Sequence, residues 1–360
     1  MSGKRVVLVT GVANQWGSRV AASLLADPKY HVIGLDTRPP GVGFEGLDMI
    51  EADIRNPLLV ELFQSESVHT VCHLKIIEQP HLSESAFDLN VMGTMKVFGA
   101  CVQAGVSKIV FKSSTAVYGA GPRNSAFLDE QSPMMGSRKN GYTRDLVEIQ
   151  AFCNGFRRQN PQVNLTILRF PNIIGPTAST PMTRYLSERM VPVLLGFDPI
   201  MQLIHEEDVI QSLVYCIKND YDGEFNIAAD GVTPLRKLIA LAGKYPIPVL
   251  HWFAYWGSSL FSGVGEGGGS LNPYDVDYIR YPWVADTTRM RKIMGYVPEY
   301  TCEEALREFA SRQRVSQINP DSTRMALDEE RLRDTLERRR RSRERNSTIP
   351  EGQMEVIDEE

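Results

Sequence analysis

The stretch that decides the fold is Val6-Val7-Leu8-Val9-Thr10-Gly11-Val12-Ala13-Asn14-Gln15-Trp16-Gly17, an apolar run delivered into a glycine-bearing turn. β-Branched residues without polar interruption, closing on Thr-Gly, read as a strand buried on both faces. The spacing of apolar residues over Gly17–Ala26 then predicts a helix. A strand that hands over to a helix through glycines admits an anionic diphosphate: the backbone turns tightly, approaches the phosphates, and offers them the helix N-terminus. Two of the three glycine positions of such a loop are filled, by Gly11 and Gly17. The middle one is Asn14, the residue after glycine that best tolerates left-handed backbone, although its side chain crowds a phosphate. The next apolar run, His31–Asp36, ends in a carboxylate 19 residues beyond Gly17. There it can accept hydrogen bonds from an adenosine ribose. A carboxylate in that place repels a 2′-phosphate and favours NAD over NADP, with Arg38 moderating the preference.

Outward from this unit the alternation repeats. Thr70–Leu74, Lys108–Ser113 and Asn164–Arg169 read as strands, and Ala86–Ala104 and Gly141–Gln159 as helices. Near-continuous apolar strands separated by helices predict an α/β, Rossmann-type doubly wound parallel sheet with ligands at the carboxyl ends of its strands. From about Pro176 the pattern loosens into a smaller lobe. Thr183–Leu195 reads as a helix with its following strand, Glu206–Lys218 as a helix, and Gly223–Ala228 as a strand returning to the main sheet. Thr287–Met294 and Cys302–Arg312 read as closing helices. The expected organisation is an NAD-binding domain over residues 1–175 with return elements at about 203–228. A mainly substrate-binding lobe over 176–314 and a charged tail over 315–360, helical or disordered, complete it.

Composition sets the outer bounds. With 42% hydrophobic and 23% charged residues over 360 positions, the chain is ordinary globular protein. Its net charge of −5 argues against nucleic-acid binding over the whole surface. Apolar runs such as Val191–Leu195 fall far short of the roughly 18 residues a membrane span needs, and the N-terminus runs straight into a strand. Cys72, Cys101, Cys153, Cys216 and Cys302 show neither metal-ligand spacing nor the even count of a disulfide framework, so a reducing, cytoplasmic setting and no metal are expected. In the tail, Arg331–Arg345 holds eight arginines against three acids, and Glu351–Glu360 five acids and no base. That pattern suits a solvated charged helix with an acidic end; contact with nucleic acid or an anionic membrane through the arginines, or self-association, are the other readings. The aromatic run Trp252-Phe253-Ala254-Tyr255-Trp256, with Phe261, suits core packing, a substrate wall, or a membrane or partner contact.

Several motifs, in order, resemble the extended short-chain dehydrogenase/reductase family, in particular its NAD-dependent epimerase/dehydratase group typified by UDP-glucose 4-epimerase. They are Asp53-Ile54 after the third strand, His73-Leu74 with Lys75-Ile76 where the group has alanines, and Asn90-Val91-Met92-Gly93-Thr94. They continue with Ser113-Ser114-Thr115-Ala116-Val117-Tyr118-Gly119, Leu168-Arg169-Phe170-Pro171-Asn172-Ile173-Ile174-Gly175-Pro176 and Ile204-His205-Glu206-Glu207-Asp208-Val209. The resemblance covers about residues 4–312. To the diphosphate loop (Gly11, Asn14, Gln15, Trp16, Gly17) and Asp36 it adds Asp53, Ile54, Leu74, Lys75, Asn90, Tyr142 and Pro171 as cofactor contacts. It adds Ser114 and Asn172 as substrate contacts, and it implies a homodimer through the helices at Ala86–Ala104 and Gly141–Gln159.

The resemblance also implies a serine or threonine, a tyrosine, and a lysine four residues after the tyrosine. Removing a hydroxyl proton from a sugar requires the phenol to ionise near neutrality; an unperturbed tyrosine titrates near about 10, so about 4 kcal/mol of differential stabilisation is needed. Ser114, with Thr115 able to share its role, and Tyr142 match the first two positions. The position of the lysine is Leu146. Arg144, Lys139 and Lys75 are the substitute cations within sequence reach, with Lys75 read either as a surface lysine or as a relocated cation. Ser114 and Tyr142 read either as catalytic groups or as packing and hydrogen-bonding groups. The resemblance implies an NAD-dependent epimerase or dehydratase acting on a nucleotide sugar or similar polyhydroxylated substrate, and the departures at Asn14 and Leu146 leave open a non-catalytic NAD(H)-binding sensor or scaffold. Arg184, Arg189 and Arg280 are candidates for a substrate diphosphate.

Overall fold

The computed structural model describes residues 4–41, 45–250 and 275–318, together with 332, 333, 335 and 336. Contacts divide the chain into Met1–Phe309 and Ala310–Glu360, and the sheet with its covering helices belongs to the first. The aromatic run at 252–256, the glycine-rich 263–269 and the acidic end fall outside the described residues. Of the arginine-rich stretch only Leu332, Arg333, Thr335 and Leu336 are described; they are helical, and both leucines are exposed.

The opening strand β1 (Arg5–Thr10) is followed by α1 (Gln15–Leu25), β2 (Tyr30–Asp36), β3 (Asp48–Glu51), α2 (Leu59–Ser65) and β4 (Thr70–His73). The second long helix of the sequence reading is composite. A turn of α-helix, α3 (Glu84–Phe87), passes through a π-helical turn (Asp88–Met92) into α4 (Gly93–Ala104). Then come β5 (Lys108–Ser114), a 3₁₀ turn (Thr115–Tyr118), α5 (Gly141–Gln159), β6 (Asn164–Phe170) and β7 (Asn172–Ile174). The remainder holds α6 (Pro181–Ser187), β8 (Met190–Leu194), β9 (Ile200–Met201), β10 (Leu203–His205), α7 (Glu206–Lys218) and β11 (Gly223–Asn226). β12 (Thr233–Pro234), α8 (Leu235–Leu241), β13 (Tyr245–Val249) and α9 (Cys302–Ile318) close the list.

Among the described residues the main sheet has seven strands in the order β3-β2-β1-β4-β5-β6-β11, all parallel. The expected doubly wound α/β fold is therefore present, with its switch point between β1 and β4. α1 and α7 cover one face through Trp16, Val20, Leu24, Ile210 and Leu213, and α2, α4 and α5 the other through Phe63, Val97, Phe98 and Ile149. A third apolar cluster joins α6, β8, α8 and Cys302–Phe309. All five cysteines are buried free thiols, packed as small apolar groups.

Register decides what meets at the carboxyl edge. Thr10 sits opposite both Leu35 of β2 and His73 of β4, and Ser114 opposite Phe170 of β6. Asp36, Lys75, Ser114 and Pro171 consequently arrive at one edge from four different strands. α5 starts beside that edge because Asn140 caps its first turn, accepting from the Thr143 amide at 3.1 Å. The amides of Gly141 and Tyr142 bond the carbonyls of Pro80 and Gln79.

Candidate functional site

The turn after β1 is built on two glycines. Gly11 has φ +74°, and a Cβ there would stand 2.8 Å from Asn14 Nδ2 and 2.9 Å from the Leu74 carbonyl carbon. A Cβ on Gly17 would lie 2.2 Å from the Gly11 carbonyl oxygen, so helix and strand touch through this glycine. Asn14 is not left-handed; its backbone is extended (φ −89°, ψ 165°) and its side chain caps α1. Oδ1 accepts from the amides of Trp16 and Gly17 at 2.9 and 2.8 Å, and Nδ2 donates to the Leu74 carbonyl at 2.8 Å. Asn14 thereby satisfies the amides a phosphate would address. Gln15 holds the backbone of Ser179 in both directions, at 3.2 and 2.9 Å.

At the end of β2, Asp36 is 1% exposed. It accepts from the Ala13 amide at 3.1 Å and the Thr37 amide at 2.8 Å, and forms an ion pair with Lys75. Lys75 is thus neither an idle surface lysine nor a cation at the tyrosine: it sits on the carboxylate expected to take a ribose. Asp53 is held by Arg55, whose guanidinium also reaches Asp88, and that hydrogen bond keeps the Asp53 carboxyl below its ordinary range. The Ile54 and Leu74 side chains are in the apolar core. Asn90, fully buried in the π turn, bonds both backbone groups of Ile77 and the carboxylate of Asp145, so its side chain fastens the segment after β4. His73 lies between the Thr10 and Thr94 hydroxyls at 2.7 and 2.9 Å. Burial pushes its pKa down to about 3, which keeps the ring neutral.

Further along the edge, Ser114, Tyr142 and Pro171 line an open, shallow cleft with Glu78, Lys112, Ser113, Phe170, Ile173, Thr180 and Pro181. Ser114 Oγ accepts from the Ala116 amide at 3.1 Å. Thr115 is a correction to the sequence reading: it is fully buried, its hydroxyl bonds the Phe170 carbonyl at 3.4 Å, and it is not among the lining residues. The 3₁₀ turn rotates it away from the side of Ser114. Asn172 lies behind the cleft, 1% exposed. Its Nδ2 donates to the Gln202 carbonyl at 3.2 Å, and its Oδ1 is buried without a hydrogen-bond partner among the described residues.

Leu146 is fully buried in the apolar cluster beneath α5. Of the substitutes read from sequence, Arg144 is committed to Asp145 at 2.7 Å and to the Phe87 ring, and Lys139 is exposed. The lysine the structure brings to the cleft is one the sequence reading missed. Lys112, 7% exposed, pairs with Glu78 at 2.9 Å and stands 5.2 Å from the centre of the Trp16 ring. The only signal in the sequence is a charge two residues before Ser114, following the apolar run Ile109-Val110-Phe111. Of the proposed substrate arginines, Arg184 and Arg189 are exposed, and Arg280 is packed against the rings of Phe197 and Tyr281. His31, Asp48 and Glu66, at the amino-terminal side of β2 and β3, bring ligand atoms within 4.8 Å of one another, a surface group that no spacing in the sequence shows.

A family model for the NAD dependent epimerase/dehydratase family matches residues 7–228. The chain belongs to that family. An uncharacterized protein of Mycobacterium tuberculosis is 34% identical to this epimerase/dehydratase family member over 330 residues, spanning 89% of this chain and 87% of its own. UDP-glucose 4-epimerase 1 of Oryza sativa is 23% identical over 363 residues, 89% of this chain and 98% of its own. Among solved structures, the UDP-glucose 4-epimerase of Thermotoga maritima with UDP-glucose superposes with a TM-score of 0.63 at 19% identity, over 87% of this chain and 99% of that one. The UDP-glucuronic acid 4-epimerase of Bacillus cereus in complex with UDP-glucuronic acid and NAD gives 0.66 at 18%, over 86% and 99%. At these identities the superpositions establish that the family member shares their fold.

Proposed function

We propose that this chain is an NAD-dependent oxidoreductase of the epimerase/dehydratase type, acting on a nucleotide sugar or a similarly polyhydroxylated substrate by transient hydride transfer. The observation that carries this reading is the convergence of Ser114 and Tyr142, from β5 and α5, on one cleft at the carboxyl edge of the sheet. The residues fit the dinucleotide. Gly11 and Gly17 leave a cradle that a Cβ would fill, and Asp36 offers a buried carboxylate to ribose hydroxyls once Lys75 moves off it. When bound, NAD supplies the hydride acceptor. Tyr142 removes and returns the substrate hydroxyl proton, Ser114 Oγ orients that hydroxyl, and Asn172 Oδ1 is the buried acceptor kept for a ligand donor. Pairing of two copies through α4 and α5 rests on the resemblance and is read by sedimentation.

A second reading, a non-catalytic NAD(H)-binding sensor or scaffold, is favoured by the full burial of Leu146 where a charged residue is expected. One experiment separates them. The purified full-length chain is titrated calorimetrically with NAD and NADH, then incubated with UDP-glucose or UDP-glucuronic acid while products are resolved chromatographically. Binding with turnover supports the enzyme, and binding without turnover supports the sensor. No heat with either redox form overturns both.

A further inference from the structure

The lining of the cleft holds three ionisable groups, Glu78, Lys112 and Tyr142. Lys112 stands on the same face of β5 as Ser114, two residues on, and its base is fixed in the interior of the sheet. Its ammonium is held near the Trp16 indole and 2.9 Å from Glu78 Oε1. Glu78 belongs to the segment between β4 and α3 and is three times as exposed as its partner, at 21% against 7%. The lysine is therefore the fixed member of the pair and the carboxylate the exchangeable one.

The other charges packed around the cleft are already committed. On α5, Arg144 and Asp145 pair with each other, and Asp145 also with Asn90; at the end of β4, Lys75 is on Asp36. The β6–α6 side contributes Phe170, Pro171, Ile173, Thr180 and Pro181, none of them charged. We propose that Lys112 is the positioning cation for Tyr142, taking the place left vacant by Leu146, and that Glu78 masks it until hydroxyl groups of a ligand displace the carboxylate. The assignment rests on the reading of this cleft as the reaction end. With Glu78 in place, the field of Lys112 at the phenol is partly cancelled; with Glu78 withdrawn, the ammonium acts on Tyr142 without that opposing charge.

The test uses the full-length, coenzyme-free chain labelled with ¹³Cζ-tyrosine. Its phenol titrations are followed by NMR, and Tyr142 is assigned as the resonance lost in Tyr142→Phe. Glu78→Gln is expected to lower the Tyr142 midpoint by about one pH unit, and Lys112→Gln to raise it by about as much or carry it beyond the native range. Lys112→Met, which keeps the aliphatic stem beside the indole, is run alongside and is expected to do the same. Opposed shifts are a signature that general loosening of the cleft does not produce. Shifts in one direction for both sites, or no shift in either, overturn the proposal. Because no coenzyme is present, opposed shifts in a chain that fails to bind NADH would remove the coenzyme reading alone. NADH binding without the shifts would remove Lys112 alone.

Discussion

Two lysine–carboxylate pairs stand at the carboxyl edge of the sheet, built in opposite senses. Around Asp36 the carboxylate is the buried partner, fixed by the Ala13 and Thr37 amides, and Lys75 reaches in with 20% of its side chain exposed. Around Lys112 the ammonium is buried and the carboxylate reaches in. In a pair that must open for a ligand, the anchored member remains to greet it. At β2 the sheet edge keeps an anion, suited to ribose hydroxyl donors, and at β5 it keeps a cation, suited to a phenolate.

The sharpest way to break this contrast is at the reaction end. Tyr142→Phe keeps the ring and removes the oxygen, and turnover of a UDP-sugar is expected to fall by about a thousandfold, within the 10²–10⁴ range of general acid–base catalysis. A steady-state rate near wild type would strip Tyr142 of its role. Next in size is Leu146→Lys. An ammonium placed in the apolar cluster under α5 must desolvate or lose its proton, and urea unfolding is expected to show a loss of about 3 kcal/mol or more. An unchanged midpoint would mean that position 146 has a route to water, so that the cation did not need to move to β5.

At the other end, Asp36→Ala removes charge-assisted hydrogen bonds worth about 1.5–3 kcal/mol, so the NADH dissociation constant measured by fluorescence is expected to rise roughly 10- to 150-fold. A change under threefold would show that Lys75 never leaves Asp36. The smallest effect is expected for Asn14→Gly. Replacing an N-cap asparagine by glycine costs only a few tenths of a kcal/mol, while the Trp16 and Gly17 amides become available, so NADH affinity is expected to rise a few-fold. Weaker binding would assign Asn14 to the ligand instead of to the helix.

The strands β1, β2, β4, β5 and β6, the two long helices beside the edge and the return of β11 to the sheet were legible because each is a run with one dominant period. The small lobe was harder to read: α8 and β13 are short, and the exposed Tyr-Pro-Ile-Pro of β13 carries no alternation. The π turn within Glu84–Ala104 escaped because one extra residue leaves the apolar spacing almost intact; the backbone reveals it, where the Gly93 amide reaches the Asp88 carbonyl five residues back. The site was legible in its named types and not in its wiring. Lys108 and Lys112 look alike in sequence, two lysines in one buried strand. The first donates to the carbonyls of Ile217 and Asn219 at the end of α7 and to Asp220, whereas the second enters the cleft. Which lysine meets which end of a helix is a matter of strand order, and no local spacing encodes it. Lys75 was noticed for its position and misjudged in its target, because Asp36 lies 39 residues away and two strands across.

Beneath the cleft runs a buried polar chain: Gln150 Nε2 donates to Ser113 Oγ at 2.5 Å, and Arg169 donates to Gln150 at 2.8 Å and to the Tyr118 hydroxyl at 2.7 Å. Tyr118 in turn donates to Asn226 at 2.7 Å. Ser113, Tyr118 and Arg169 are among the very letters by which the lineage is recognised, yet here they stitch β5, α5, β6 and β11 into a keel. Ancestry written in the keel outlasts a change of cargo, so a descendant can trade its chemistry a few ångströms above while still answering to the same pedigree.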